Sequence, residues 1–209
     1  MHTAIDYYFL GISPFVYLGH DAIVAVAEKH GVALNPKPVD LGAVWQNSGS
    51  EPLPKRTPLR QRYRLLEMER VAKWRNLPIN LQPAHFPTNP VTADLCVAAL
   101  VANGENALPF MGAIMRAVWV EERDVADRSV ITEILERHGH DAEQVLQMAG
   151  SDVCAQIRAD NTSEAIEADA TGVPAYVVSG EVFWGQDRIE LLDHMLTTAR
   201  PAIIPSKQS

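Results

Sequence analysis

Residues 4–14 read AIDYYFLGISP, and this stretch decides the fold. Residues 4–10 are rich in aromatic and β-forming side chains, which predicts a strand. After a two-residue turn, Ser13 is placed as the N-cap of a helix, and Pro14 takes the first helical position, where a missing N–H costs nothing. Gly31 is a typical C-terminal stop for that helix. A strand that feeds a helix beginning Ser-Pro can stabilise an anion at the helix N-terminus.

The chain on the C-terminal side of this unit contains one more strand and then helices. Residues 32–41 read as a second strand, which its prolines mark as irregular. Residues 42–58 are rich in Gly, Ser, Asn and Pro, which predicts a surface loop. Residues 59–75 return to helical spacing, and residues 91–169 predict at least three further helices.

The pattern changes again near the C-terminus. Residues 176–178 form a strand, residues 179–181 a tight turn, and residues 182–184 the returning strand. Gln186 or Asp187 then begins a final helix, and a loose tail follows it. The order β-α-β, helices, β-β-α predicts an α/β layer domain on which an all-helical insertion packs.

Composition sets limits on function. The 209 residues are 47% hydrophobic and 21% charged, which suits one compact unit or one domain with a large insertion. The net charge is −8, which argues against a nucleic-acid or anionic-membrane partner. No apolar run approaches about 18 residues, and no signal peptide is recognised, so we expect no membrane span and a cytoplasmic location.

The two cysteines, Cys96 and Cys154, are far apart in the sequence. No CxxC is present, and no Cys/His spacing resembles a zinc site, so we expect no metal. A disulfide between the two stays open, but buried free thiols in a reducing compartment are favoured.

Ser13 has two interpretations. Most Ser-Pro pairs at a helix start only cap the helix. Alternatively, the Ser13 hydroxyl points into a cleft and donates to a bound thiolate, aided by the free N–H groups and partial positive charge of the helix N-terminus. That environment lowers a thiol pKa from its usual value of about 8.5. No GxSxG surrounds Ser13, which argues against hydrolase chemistry.

The C-terminal motifs also have a structural and a functional interpretation. Pro174 either initiates an edge strand or, if its peptide bond is cis, leaves the N–H and C=O of Val173 free to pair with a peptide ligand. Gln186 and Asp187 either cap a helix or bind a γ-glutamyl group. In the second case Asp187 accepts from the α-ammonium, and the backbone N–H groups at the helix start hold the α-carboxylate.

If the bound thiol is that of glutathione, the site also needs a cation for the glycyl carboxylate of that peptide. The polar loop is the predicted source of this cation. Asn47, Lys55, Arg56 and Arg60 lie in or just after it. Side chains in such loops are usually solvated, so the sequence does not single out one of them.

Taken together, the chain resembles 2-hydroxychromene-2-carboxylate isomerases and kappa-class glutathione transferases, which belong to the DsbA-like thioredoxin superfamily. The matching stretches occur in family order and cover nearly the whole chain. They are residues 7–9 (YYF), 13–18 (SPFVYL), 59–63 (LRQRY), 78–79 (PI), 86–89 (FPTN), 172–174 (GVP) and 183–188 (FWGQDR).

The resemblance implies a thioredoxin-like domain over residues 1–42 and 170–209, with a helical insertion over residues 43–169. It also implies glutathione as cofactor and a homodimer. The residues to which it gives a role are Ser13 as the glutathione-activating serine, Val173 and Pro174 as the cis-proline pair, Gln186 and Asp187 at the γ-glutamyl group, Asn47 near the substrate, and Arg60 at the position of a family lysine.

The implied reaction is reversible addition of the glutathione thiolate to a double bond conjugated to a carbonyl. The substrate would be 2-hydroxychromene-2-carboxylate, interconverted with trans-o-hydroxybenzylidenepyruvate during degradation of naphthalene-type aromatics. This chain departs from the family in having Leu10 or Gly11 where many members have Asp, and in having Arg60 for Lys, which is not a conservative change at a carboxylate contact. These departures bear on the substrate more than on the cofactor.

Two other functions stay open on the same residues. The first is a glutathione transferase or peroxidase acting on other electrophiles. The second is a thioredoxin-fold binding protein without chemistry. A disulfide oxidoreductase of the DsbA type is disfavoured because it needs a cysteine where Ser13 stands.

Overall fold

The computed structural model describes residues 4–204. The strands are β1 (Ala4–Phe9), β2 (Ala33–Pro38), β3 (Ala175–Val178) and β4 (Glu181–Trp184). The helices are α1 (Pro14–His30), α2 (Leu41–Ser48), α3 (Pro58–Trp74), α4 (Val91–Ala102), α5 (Leu108–Trp119), α6 (Arg128–Arg137), α7 (Ala142–Ala149), α8 (Asp152–Glu167) and α9 (Ile189–Thr198). Short 3-10 turns cover Leu53–Lys55 and Gln186–Arg188. Part of the predicted tail, residues 205–209, lies outside the described residues.

The four strands form one mixed sheet in the order β2-β1-β3-β4. β1 is parallel to β2 and antiparallel to β3, and β3 is antiparallel to β4. The register pairs Ala175 with both Tyr8 and Trp184. Phe9 pairs with Pro38 on the other side. Therefore β1, β2 and β4 end, and β3 begins, at the same edge of the sheet.

The helix that follows β1 forms as the sequence predicts. Ser13 is its N-cap, and Pro14 stands at its start. Gly31 ends it in the left-handed conformation, with φ 61°, and donates its N–H to the carbonyls of Ala27 and Glu28. A glycine adopts this conformation without steric cost, which is why the helix ends there.

The predicted loop over residues 42–58 is partly wrong, because its first half is the helix α2. The Asp40 carboxylate caps this helix by accepting from the N–H groups of Gly42, at 2.9 Å, and Ala43, at 3.4 Å. Leu41 and Val44 are buried beneath it. The glycine and asparagine content that suggests a loop is outweighed by this cap and by apolar burial. Residues 91–169 hold five helices, which is consistent with the prediction of at least three.

A continuous apolar core joins the sheet to the helices between β2 and β3. It includes Phe9 of β1, Leu18 of α1, Phe110 and Trp119 of α5, and Leu135 of α6. The helical part therefore packs directly on the α/β layer, although the predicted domain bounds stay a prediction. The predicted free thiols are confirmed, since both cysteines are unpaired and buried. None of the helices in residues 4–204 is long and apolar enough to cross a bilayer.

Candidate active site

Ser13 stands in the turn between β1 and α1 with its hydroxyl proton available. Its Oγ accepts from the N–H of Val16 at 3.4 Å, and its own N–H donates to the carbonyl of Leu10 at 2.9 Å. Within residues 4–204 the Ser13 hydroxyl donates to no other group. The N–H of Phe15, in the first turn, also has no acceptor inside the helix. Two donors therefore remain at the positive end of α1.

The second component of the site is the segment that enters β3. The Val173–Pro174 peptide bond is cis. The β1–β3 register, which pairs Tyr8 with Ala175, brings this segment alongside the end of β1, close in sequence to Ser13. Pro174 accepts through its carbonyl from the N–H of Gly185 at 2.8 Å. Neither main-chain polar group of Val173 takes part in a backbone hydrogen bond among the described residues, so both are free for a ligand.

The third component follows β4. Gly185 has φ 105°, and a Cβ at this position would lie 2.4 Å from Oδ1 of Asp187. The Asp187 side chain is 57% exposed and accepts from Arg188 Nη1 at 2.7 Å. Gln186 is buried, and the carbonyl oxygens of its side chain and main chain both accept from Arg75 at 3.0 Å. The two carbonyl oxygens of Gln186 are thus engaged by Arg75, and its backbone N–H remains for a ligand.

Asn47 is exposed on α2, and the end of this helix is tied to the cis-proline segment. Ser48 Oγ donates to the carbonyl of Thr171 at 3.1 Å, and Ser50 Oγ approaches the same oxygen at 3.4 Å. Thr171 precedes Val173 by two residues. The structure therefore brings the helix that carries Asn47 next to the same sheet edge as Ser13.

A group of arginines at and just before the start of α3 forms no salt bridge among the described residues. Arg60 is exposed, while Arg56 and Arg64 are partly buried. Burial and the Arg60 charge lower the pKa of Arg56. Burial and the Arg56 charge lower the pKa of Arg64 to about 10. In the described part of the chain no carboxylate lies within salt-bridge distance of these three guanidinium groups, so the cluster is suited to an external anion.

Sequence reasoning missed Arg64 and Arg75. The four-residue spacing from Arg60 to Arg64 puts the two on one face of α3, so the first could have been found from the sequence. Arg75 stacks on the ring of Trp74, with its Cζ 4.8 Å from the ring centroid, and reaches Gln186 across 111 residues. No local pattern predicts a contact of that separation.

The structure also contains a cleft away from this edge. A cleft of about 400 Å³ is found between α1 and α5, lined by His20, Asp21 and Arg116 among others. None of the seven predicted site residues lines it. The candidate site is instead the sheet edge at which the strand register places the segments that carry Ser13, Val173 and Asp187. Across residues 4–204 no group of three His, Cys, Asp or Glu side chains is placed to hold a metal ion.

A family model for a DSBA-like thioredoxin domain matches residues 4–197. The chain belongs to the DsbA-like thioredoxin family. Within this family it is 26% identical over 198 residues to a protein of Sphingobium xenophagum named 2-hydroxychromene-2-carboxylate isomerase, covering 94% of this chain and 99% of that one. It is also 23% identical to a Caenorhabditis elegans protein named glutathione S-transferase kappa 2, covering 88% of each.

Solved structures of the DsbA-like family share the fold. A 2-hydroxychromene-2-carboxylate isomerase superposes with a TM-score of 0.82 at 23% identity, over 94% of this chain and 96% of that one. The cytosolic disulfide reductase DsbM from Pseudomonas aeruginosa with GSH gives a TM-score of 0.69 at 17% identity, over 94% and 98%. The predicted thioredoxin-like fold is confirmed. The roles of the seven site residues stay predictions.

Proposed function

We propose that this protein is a glutathione-dependent isomerase that interconverts 2-hydroxychromene-2-carboxylate and trans-o-hydroxybenzylidenepyruvate in the breakdown of naphthalene-type aromatics. The observation that carries the proposal is the Ser13 hydroxyl, which accepts from Val16 and keeps its proton for another acceptor, beside a cis Val173–Pro174 segment with free backbone groups. The relatives named isomerase support the reaction class.

Ser13 holds the reacting sulfur as its thiolate. The Ser13 hydroxyl donates to it, and the free N–H of Phe15 and the positive end of α1 add to the favourable potential. None of the first-turn residues of α1 is acidic, so no carboxylate there opposes the negative charge. The chemistry that glutathione supplies when bound is reversible addition of its sulfur to the conjugated double bond, which permits rotation about that bond.

The surrounding residues fit the rest of a glutathione molecule. The N–H and C=O of Val173 pair with its peptide backbone in strand-like fashion. Asp187 accepts from the α-ammonium, and the N–H groups that begin the 3-10 turn at Gln186 hold the α-carboxylate. Asn47 and the arginine cluster, with Arg60 at its exposed end, bind the glycyl carboxylate.

A glutathione transferase or peroxidase of the kappa type is the second candidate, favoured by the relative named glutathione S-transferase kappa 2. Disulfide exchange is disfavoured by the cysteines. Burial raises the pKa of Cys96 to about 12 and also raises that of Cys154, so neither thiol is activated. The third candidate is a thioredoxin-fold binding protein without catalytic activity.

Three measurements test the proposal. Calorimetric titration compares glutathione with S-methylglutathione, which lacks the acidic thiol, while the far-ultraviolet thiolate absorbance of the complex is followed against pH. We expect saturable binding of glutathione, with a thiol pKa below its solution value. Equilibration of the two aromatic isomers is then followed from both directions. Turnover of other electrophiles without isomerisation supports the transferase, and a failure to bind glutathione overturns both enzyme proposals.

The homodimer implied by the resemblance and the cytoplasmic location expected from the sequence stay predictions. Sedimentation velocity of the purified chain tests the first, because a dimer has twice the 23.0 kDa mass of the chain.

A further inference from the structure

Asp94 is a buried carboxyl group that reaches the turn carrying Ser13 from a distant helix. It lies in the first turn of α4 and is 1% exposed. Its Oδ1 accepts from the N–H of Gly11 at 2.9 Å, across 83 residues of sequence. Residues 10–13 form a turn, closed by the hydrogen bond from the Ser13 N–H to the carbonyl of Leu10. Gly11 is one of its two central residues. The contact therefore holds the backbone two residues before Ser13.

The fit between Gly11 and Asp94 is close. A Cβ on Gly11 would lie 2.5 Å from Oδ1 of Asp94, so only glycine permits the contact. The other carboxyl oxygen, Oδ2, is buried without a hydrogen-bond partner among the described residues. A half-satisfied buried carboxyl is costly for stability, and such groups are often found at functional sites.

We propose that Asp94 is a positioning residue of the Ser13 site, which fixes the turn through Gly11 and sets the alkaline limit of thiolate binding by the loss of its own proton. The second part rests on the proposed function. An ionised carboxylate under the turn adds a like charge near the bound sulfur, and a like charge disfavours the thiolate.

The surroundings of Asp94 favour its protonated form up to mildly alkaline pH. Burial raises its pKa from 3.8 to about 8, and the Gly11 N–H and the charge of Arg158 on α8 oppose this only in part. On α4 itself, Cys96 is the titratable neighbour that feels the Asp94 charge. Near neutral pH the carboxyl is therefore mostly uncharged, and the site holds no buried negative charge to oppose the thiolate.

Three variants separate positioning from general destabilisation. Asp94→Asn keeps an oxygen for Gly11 and cannot ionise, whereas Asp94→Leu removes the acceptor. Cys96→Ala is the matched control, since it alters another fully buried side chain of the same helix, one that makes no hydrogen bond to residues 10–13. We expect Asp94→Leu to lose about 10- to 100-fold in kcat/KM, the scale of a misplaced donor, and Asp94→Asn to recover most of it at neutral pH.

The pH dependence of the Gly11 resonance and of glutathione binding distinguishes this role from a purely structural one, which would change neither. In the parent, the Gly11 amide resonance shifts with the Asp94 titration near pH 8, and glutathione affinity falls above it; both changes are absent from Asp94→Asn.

The free energy of unfolding also depends on the ionisation of Asp94. Because the folded-state pKa is raised, the stabilisation is present below pH 3.8 and is lost as pH rises to about 8. The urea midpoint should fall across that range in the parent and not in Asp94→Asn.

The outcomes are distinct. A Gly11 resonance that does not titrate in the parent, or titrates equally in Asp94→Asn, overturns the contact. Equal thiolate titrations in Asp94→Leu and Cys96→Ala overturn the positioning role. If the parent binds no glutathione, the proposed function and the alkaline limit fail together, while the Gly11 resonance and the urea midpoints still decide the contact.

Discussion

Ser13 and Ser151 cap two helices with the same geometry and differ in what the cap leaves unsatisfied. Each Oγ accepts from the N–H three residues on at 3.4 Å. The Ser151 hydroxyl also donates to the carbonyl of Met148 at 2.6 Å, whereas the Ser13 hydroxyl donates to nothing in residues 4–204. The α8 terminus carries Asp152 in its first turn, and the α1 terminus carries no acid there. Of the two serines, only Ser13 therefore has a hydroxyl proton without an acceptor at a helix N-terminus whose positive potential is not reduced by a first-turn acid.

The surroundings of the two caps also differ, and again the free hydrogen-bonding groups lie beside Ser13. Ser13 follows a strand and lies at the sheet edge where β3 begins, beside the free backbone groups of Val173. Ser151 joins two helices, α7 and α8, and its turn closes on itself through its own N–H, which donates to Met148 at 2.9 Å. A capping serine therefore becomes a candidate for anion binding when its fold brings other free donors to it.

Removing each hydroxyl in turn should have the largest effect that distinguishes the two caps. Both Ser13→Ala and Ser151→Ala should lose about 1 kcal/mol of unfolding free energy, the usual cost of a lost N-cap. Only Ser13→Ala should raise the pKa of the bound glutathione thiol and lower turnover, by about 10- to 1000-fold, the scale of one oriented donor. Urea unfolding, thiolate absorbance and isomerase rates measure the three quantities.

Ser151→Ala is the control, because it removes the same cap far from the sheet edge. Equal turnover of Ser13→Ala and Ser151→Ala between pH 6 and 8 would contradict the role assigned to the Ser13 hydroxyl, whatever their stabilities.

Local signals in the sequence predict the elements that build the sheet edge. The Ser13 cap, the Gly31 stop and the strand around Tyr176 each follow from side chains within a few residues. The loop predicted before α3 is partly wrong because residue composition does not reveal that the Asp40 carboxylate caps α2 and that Leu41 is buried under it.

The rest of the site depends on contacts between residues distant in sequence. Asp94 meets Gly11 across 83 residues, and Gln186 meets Arg75 across 111. No periodicity or motif encodes these pairs, since each partner is unremarkable in its own segment. The resemblance supplied the predicted roles of Asn47 and Arg60, and the structure brings the helix of Asn47 to the edge through Ser48 and Thr171.

A charge in the first turn of α1 should make its terminus resemble that of α8. Phe15→Glu introduces a carboxylate beside Ser13, as Asp152 does beside Ser151, and should raise the bound thiol pKa by about one unit through like-charge repulsion. Phe15→Gln is the matched control, because glutamine has nearly the same shape as glutamate and carries no charge. Thiolate absorbance against pH measures the shift, and identical titrations of the two variants would show that the potential at this terminus does not govern the thiolate.

The smallest expected effect concerns the arginine cluster, which has no counterpart near Ser151. If Arg64 binds the glycyl carboxylate, Arg64→Gln should weaken glutathione binding about fivefold, the scale of a partly exposed charge pair. Arg62→Gln, an exposed arginine on the same helix, is the control. Glutathione ethyl ester, whose glycyl carboxylate is blocked, should bind the parent and Arg64→Gln equally. If calorimetry instead finds that the variant weakens both ligands by the same factor, Arg64 acts on the fold of α3 or on another part of the ligand, and the carboxylate contact belongs to Arg60 or Asn47.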